Sequence, residues 1–310
     1  MSYRELVLLQ KPLFYLPFEE PSGGTASDIT GNGFDGIYNN VSLASPLGFS
    51  VFGGPVTRAT WNGTNSYVSI PKRWLRGGAV SFSLWYKPSN VNGWQQLLNL
   101  TGSDNGVATP CVYSTDNGSQ KPTFANTPFN GSTVWGTSPV AASQLNTVVH
   151  LAMVLKGPNG VMYINGVNVL NYSNPTGSVA PSSPYLPMTV GAGYTAGSTV
   201  VKDFYAGWIS NLAAWDRPLS PDEVLRQYNI GKSTFDQPHV SGIVLADGVG
   251  AAKRIKWMRR DSGVLVAAGS SASDGSFALK TTNDMGVVVC LDDETTNYPP
   301  LIFDRVLPQT

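Results

Sequence analysis

The chain has 310 residues, of which 13% are charged, and Lys+Arg equals Asp+Glu at 20 each. A net charge of zero leaves no electrostatic footprint for nucleic acid or an anionic membrane. With 42% hydrophobic residues, 11% aromatics, 33 Gly and 22 Pro, the composition points to a packed, turn-rich β protein rather than a disordered one.

Taken in chain order, residues 1–11 form a short lead. Its apolar Leu6–Leu9 run reads as an extra strand or as a segment that docks on a neighbouring subunit. The stretch LFYLPFEE reads as a strand ending in the acidic pair Glu19-Glu20. A polar loop follows, Asp28-Ile29-Thr30-Gly31-Asn32-Gly33, closed by Gly36. WNGTNSYVSI at 61–70 reads as a later strand led by Trp61, after a glycine-rich loop at Gly48–Pro55. Ala79–Pro88 alternates cleanly, with Val80, Phe82, Leu84 and Tyr86 on one face and Ser81, Ser83 and Trp85 on the other. Gln95–Leu100 continues as the next strand.

From Gly102 to Leu145 turn signals are dense (SDNG, TDNGS, FNGS), so this region reads as long loops that the core does not need. Val148–Lys156 and Val161–Leu170 read as a hairpin joined at Gly157-Pro158-Asn159-Gly160. Met188–Gly193 is another strand. Phe204–Trp215 reads as a long apolar strand stopped by Asp216-Arg217-Pro218. Ser220 and Glu223 then form a capping box around Pro221 at the first helical position. Val224, Leu225 and Tyr228 supply the helix's apolar face, and Gly231 its stop.

Residues 232–238 read as a linker. The pattern then restarts with short strands around Val240–Gly248, Arg259–Gly263, Ser273–Phe277 and Leu301–Val306. The expected organisation is two domains, 1–235 and 236–310, in an all-β chain. Cys111 and Cys290 fall in different domains and read as small buried apolar residues, not as a disulfide. The N-terminus lacks the basic, apolar, small-residue order of a signal peptide, and no apolar run reaches the ~18 residues of a membrane span. Synthesis and folding in a cytoplasm are the expectation.

The motifs at 13–38, 61–70 and 204–219, in that order, resemble the laminin-G-like, concanavalin-type jelly-roll family. Trp85 in its strand and Tyr163-Ile164-Asn165-Gly166 match further strands of that family. The resemblance covers roughly 1–232 and implies a concanavalin-like jelly-roll sandwich. The segment after 236 resembles a small immunoglobulin-like or prealbumin-like β-sandwich of the carboxypeptidase-regulatory type, similar to C-terminal parts of tailed-phage virion proteins.

The sequence shows no paired-carboxylate E-x-D-x-E strand, no G-x-S-x-G, C-x-x-C or HExxH, so no catalytic residues are assigned and no enzyme is expected. The acidic cluster Asp292-Asp293-Glu294 reads as a solvated turn. His150, among apolar neighbours, reads as a packed or hydrogen-bonded core residue, and His239 falls in the linker. The resemblance implies one structural calcium ion, with Glu19, Glu20, Asp28, Asn32 and Asp216 as candidate ligands. Read from the residues alone, Asp28 and Asn32 make Asx-type turns and Glu20 binds backbone amides. The loop aromatics Trp94, Tyr113, Trp135 and Tyr194 are candidate sugar platforms; core packing or subunit contact is the competing role for each.

The combined expectation is a non-enzymatic structural protein of a tailed-phage virion, either a head decoration or fibre protein or a tail accessory protein. It would assemble in the host cytoplasm with other virion proteins, as a homo-oligomer, and display a surface to host glycans. A carbohydrate-binding adhesin is the alternative, and a glycan-active enzyme the third reading.

Overall fold

The structure, a computed structural model, describes residues 2–43, 59–72, 79–99, 111–126, 134–156, 159–173, 187–194, 200–235, 239–246, 249–250, 253–273, 276–280, 286–291 and 301–306. They divide into two compact units, the first within Met1–Ser45 and Thr57–Ile230 and the second including Gly231–Thr310. The elements of the first unit run α1 (Tyr3–Leu9), β1 (Phe14–Leu16), β2 (Thr25–Ala26), β3 (Gly36–Asn39), β4 (Thr60–Asn62), β5 (Tyr67–Ile70), β6 (Ala79–Pro88), β7 (Gln95–Asn99) and β8 (Cys111–Thr115). They continue with β9 (Thr123–Asn126), β10 (Val134–Thr137), β11 (Val149–Lys156), β12 (Asn159–Ile164), β13 (Val167–Ser173), β14 (Met188–Val190), β15 (Gly193–Tyr194), β16 (Val201–Lys202), β17 (Ala206–Trp215) and α2 (Pro221–Phe235).

One sheet has seven strands in the order β1-β17-β6-β11-β12-β13, with β4 also on β17; the other has eight, β10-β9-β8-β7-β14-β5-β3-β2. Both contribute to one core. Phe82, Leu84, Tyr86, Leu151 and Met153 come from the first, and Val68, Ile70, Leu98, Val112 and Phe124 from the second. This is an all-β jelly-roll sandwich, and each fully buried apolar side chain in it contributes about 1.5–3 kcal/mol. The alternation read in β6 holds, with Val80, Phe82, Leu84 and Tyr86 in that core.

The opposite face of the seven-stranded sheet is buried too. Tyr3 of α1 meets Trp85 edge-on at 6.0 Å, and Tyr228 of α2 stacks on it at 6.1 Å. The Ser220–Glu223 capping box forms as read, with Glu223 N–H donating to Ser220 Oγ at 3.2 Å and Ser220 N–H to Glu223 Oε2 at 2.8 Å. The Arg217 guanidinium donates two hydrogen bonds to the same Glu223 carboxylate, at 3.0 and 2.6 Å.

Five expectations are corrected. Leu6–Leu9 is not a strand: it lies in α1, which opens on its own capping box at Ser2 and Glu5. With Tyr3, Leu6 and Val7 buried, α1 docks on its own chain. The 61–70 stretch is not one strand. Asn62 Oδ1 accepts backbone N–H groups of Thr64, Asn65 and Ser66, turning the chain so that β4 and β5 join different sheets. Val161–Leu170 is split at Asn165 and Gly166, whose φ values of 51° and 77° make a tight turn between β12 and β13. The helix runs through Gly231 to Phe235, since Gly231 is not among the glycines with positive φ that a stop of that kind requires. Finally, the turn-rich 102–145 stretch contains β8, β9 and β10, and its Val112 and Phe124 belong to the core.

In the second unit, β18 (His239–Ile243), β19 (Leu245–Ala246), β20 (Val249–Gly250), β21 (Arg254–Arg259), β22 (Leu265–Ser270), β23 (Ser276–Lys280), β24 (Gly286–Leu291) and β25 (Leu301–Val306) follow in order. Four form an antiparallel sheet, β22-β21-β24-β25, while β18 pairs β23 and β19 pairs β20. Ile255, Trp257, Val288 and Cys290 are its centre, beside Val244 and Leu279. Cys111 and Cys290 are both buried, and no disulfide joins them. Asp292-Asp293-Glu294 lies outside the described residues.

Candidate functional site

The acidic loop is built around Asp28, which is 8% exposed. Its Oδ1 accepts from Tyr15 N–H (3.0 Å), Thr30 N–H (3.1 Å) and Thr30 Oγ1 (2.7 Å), and its Oδ2 from Phe34 N–H (3.1 Å). Glu20 accepts from Ser27 N–H at 2.7 Å and from the Tyr38 hydroxyl at 2.5 Å. Glu19 pairs with Arg4; burial raises its carboxyl above the ordinary value, with Arg4 opposing. Asn32 donates its side-chain amide to Leu13 O at 2.8 Å, and Asp216 is exposed. Among the described residues no group of three or more His, Cys, Asp or Glu comes together as metal donors. These five residues therefore do not fit a calcium cage, because protein donors already occupy the oxygens of Asp28, Glu20 and Glu19. The Asx turn at Asp28 and the amide contact of Glu20, read from the residues themselves, are what the loop contains.

Of the aromatic candidates, Tyr113 lies on the face of the eight-stranded sheet turned away from the core, and Tyr194 lies in β15. Val112 points into the core, so alternation sends its neighbours Cys111 and Tyr113 outward, where they cluster with Ala125. Trp94, 40% exposed, meets Tyr113 edge-to-face at 5.2 Å. Trp135 sits in β10 opposite Ala125, and its side chain lies outside the described residues.

A bulge in β7 shapes this face. The register with β8 shifts between Gln95 and Gln96 and again before Leu98, so consecutive Leu97 and Leu98 both enter the core. The glutamines at the bulge fasten the incoming chain. Gln96 N–H donates to Asp203 O at 2.8 Å, and Gln95 Oε1 accepts Ala206 N–H at 3.1 Å. Asp203 holds φ at 56°, and Tyr205 N–H bonds Gly191 O at 2.8 Å. The β15–β16 hairpin is thereby held beside β7, pairing Gly193 with Lys202 and Tyr194 with Val201. The Gln96 side chain packs against Gly193, where a Cβ would lie 1.5 Å from Gln96 Oε1 and would require that side chain to shift.

This closes a half-buried aromatic strip with one carboxylate in it. Burial, with Cys111 and Asp203 beside it, raises the Tyr113 phenol well above its ordinary value. Burial also pushes the Cys111 thiol up to about 12, making it a poor nucleophile. Burial and neighbouring Tyr67 push Tyr194 up to about 12. Tyr67 in turn lies 6.4 Å from the ring of Phe204, which follows Asp203 in the chain. The rings thus form two pairs, Trp94 with Tyr113 at 5.2 Å and Tyr67 with Phe204 at 6.4 Å, with Tyr194 near Tyr67 and Asp203 near Tyr113. Sequence reading named three of these aromatics. It missed Gln96, Tyr67, Asp203 and Phe204, which no motif marks and which only the bulge and the hairpin bring together.

His150 is fully buried and tilted against Trp85, with ring centroids 4.8 Å apart, on the outer face of the seven-stranded sheet. It is a packed histidine, and among the described residues no carboxylate pair lies beside the aromatics.

A family described as the concanavalin A-like lectin/glucanases superfamily matches residues 62–225. No curated protein matches the chain. Among solved structures, domain 4 of AbnA, a GH43 extracellular arabinanase from Geobacillus stearothermophilus, is 18% identical with a TM-score of 0.52, covering 70% of this chain and 98% of its own. The binding domain of Paraclostridial mosquitocidal protein 1 is 13% identical with a TM-score of 0.56, covering 97% of this chain and 74% of its own. The botulinum neurotoxin serotype G binding domain is 10% identical with a TM-score of 0.53, covering 96% and 70%. At these identities the likeness concerns the fold. With the sandwich built as described and the family match spanning more than half of its length, the chain belongs to the concanavalin A-like lectin/glucanase superfamily.

Proposed function

We propose that the first unit is a non-catalytic carbohydrate-binding module that takes a saccharide on the outer face of its eight-stranded sheet. The observation that carries this reading is the outward aromatic pair of Trp94 and Tyr113, with rings 5.2 Å apart, and the further pair of Tyr67 and Phe204 at 6.4 Å. Sugar rings offer apolar C–H faces to aromatic rings and hydroxyl edges to polar groups, so such a strip suits them. Domain 4 of the arabinanase was solved in complex with arabinotriose, and the toxin neighbours are binding domains, which is consistent with this role. The thiol of Cys111 is protonated and buried, and among the described residues no nucleophile–base pair lies beside these aromatics.

Calorimetric titration with arabinotriose, cellotriose and maltotriose tests the proposal. At least one should bind, and Trp94→Ala should weaken it roughly tenfold or more, since base-like stacking on an aromatic is worth on the order of 1–3 kcal/mol. No binding by the wild type, or cleavage of the oligosaccharide, would reject it.

A display role on a tailed-phage particle is the wider reading, supported by the resemblance of the Val240–Gly248, Arg259–Gly263 and Ser273–Phe277 motifs to a carboxypeptidase-regulatory-like domain, a type similar to C-terminal parts of tailed-phage virion proteins. It would supply virion proteins as partners and a host glycan as ligand. Mass spectrometry of purified particles tests it, and particles that never contain the protein reject it.

A further inference from the structure

From the hydrogen bonding around the Asn-Gly steps of this chain we infer that Asn92 is a self-modification site. The Asn92-Gly93 step deamidates in the folded protein, giving aspartate and isoaspartate two residues before Trp94. The sequence holds eight Asn-Gly steps. Asn105 and Asn130 lie outside the described residues. The remaining six differ in what the fold leaves free to react.

The reaction needs two groups. The glycine nitrogen attacks the side-chain amide carbon of the asparagine, and a glycine has no side chain to obstruct the approach. A C–N bond forms, ammonia leaves, and the product is a cyclic imide. Water then opens the imide at either carbonyl. The net change is amide plus water to carboxylate plus ammonium, with nothing oxidised or reduced. A hydrogen bond that holds the amide, or one that occupies the glycine N–H, must break first and slows the step.

Five of the six steps are held. Asn62 Oδ1 accepts from the N–H groups of Thr64, Asn65 and Ser66, its amide donates to Asn65, and Gly63 N–H donates to Tyr205 O at 3.0 Å. Gly118 N–H donates to Gly93 O at 3.2 Å, which occupies the nucleophile of Asn117. Asn165 Oδ1 accepts His150 N–H at 2.9 Å, and the Asn32 amide donates to Leu13 O at 2.8 Å. Asn159 and Gly160 sit in β12, paired on both sides by β11 and β13.

At Asn92 neither group is engaged. Asn92 and Gly93 are exposed, and among the described residues the Asn92 side chain and the Gly93 N–H make no hydrogen bond. The main chain around them is fixed all the same. Asn92 N–H donates to Asn90 Oδ1 at 2.9 Å, and Asn92 O accepts Gln95 Nε2 at 3.1 Å. Conversion adds a negative charge to a chain of net charge zero. Isoaspartate also routes the main chain through the former side chain and lengthens it by a carbon. Gly93 O, the acceptor for Gly118, is thereby displaced, and the turn that carries Trp94 loosens from the segment after β8.

The experiment ages the folded full chain in mildly alkaline buffer, beside a sample kept unfolded in urea. Peptide mapping separates aspartate from isoaspartate at each step. In the folded protein Asn92 should convert at least about tenfold faster than Asn62, Asn117 or Asn165, and the rates should converge in urea. Hydrogen exchange at the Gly118 N–H should rise severalfold in the aged wild type. It should stay unchanged in Asn92→Ala, which has no amide to lose. An Asn92 that converts only in urea, or folded-state conversion at Asn62, Asn117 or Asn165 as fast as at Asn92, overturns the assignment. Unchanged Gly118 exchange in the converted protein overturns the loosening of the turn. These readouts use no saccharide, so they are decided separately from the carbohydrate-binding reading.

Discussion

The indole N–H of Trp215 donates to the main-chain carbonyl of Gln10 at 3.1 Å, joining the last residue of β17 to the end of α1. The two are 205 residues apart in sequence. Trp215 is fully buried, on the face of β17 opposite the core residues Leu212 and Ala214. Arg217 donates to the same carbonyl at 3.1 Å, and Gln227 Nε2 to Gln10 Oε1 at 2.7 Å. The N-terminal segment is thus a clasp over the seven-stranded sheet. Trp215→Ala should lower stability by about 3–5 kcal/mol, the range for a buried aromatic truncation. Deleting residues 1–10 should destabilise as well, by uncovering the same ring. Urea unfolding measures both, and midpoints equal to the wild type would show that the clasp is dispensable.

Asp28 serves four protein donors, so its removal should cost roughly 2–4 kcal/mol by leaving buried amides unpaired. The loss in Asp28→Ala should be the same with millimolar calcium and with chelator. A wild-type melting temperature that rises with calcium, and stops doing so in Asp28→Ala, would show that the loop is a cation site after all.

His150 makes stability depend on pH in a defined direction. Burial lowers its folded-state value from 6.5 to about 3, with Gln227 opposing weakly. Between those two values the unfolded chain binds the extra proton. The contribution is therefore fully present above pH ~6.5 and is lost as pH falls toward 3. At pH 4.5 the loss should be about 2–3 kcal/mol relative to pH 7.5. His150→Phe keeps a ring against Trp85 and should flatten the dependence, whatever its own cost at neutral pH. A parallel pH profile in wild type and variant would mean the imidazole is protonated in the fold.

Residues 1–235 should fold without the rest. The first unit has its own core, and α2 and its capping box are complete within that length. Circular dichroism of the 1–235 fragment should show cooperative melting within a few degrees of the first transition of the full chain. A non-cooperative melt would place essential contacts beyond residue 235.

The sequence by itself determined the period-two strands, the core face of β6, the Ser220–Glu223 cap and the all-β class. All of these depend on neighbours two to four residues apart, where side-chain alternation and capping chemistry act locally. It also carried the concanavalin-like membership, because the motifs in 13–38, 61–70 and 204–219 survive in order. The helix at Tyr3–Leu9 was legible in its Ser2–Glu5 capping box, but the apolar Leu6–Leu9 run masked it. Asn165-Gly166 was a turn signal hidden inside an otherwise apolar run. Only the tertiary structure decided where the two sheets trade the chain between β4 and β5. It alone placed Cys111 and Tyr113 outward, because that follows from Val112 entering the core of the sandwich. The approach of Asp203 to Tyr113 and Gln96 spans 90 or more positions in the chain. It is created by backbone hydrogen bonds between strands, and no local pattern encodes a contact of that kind.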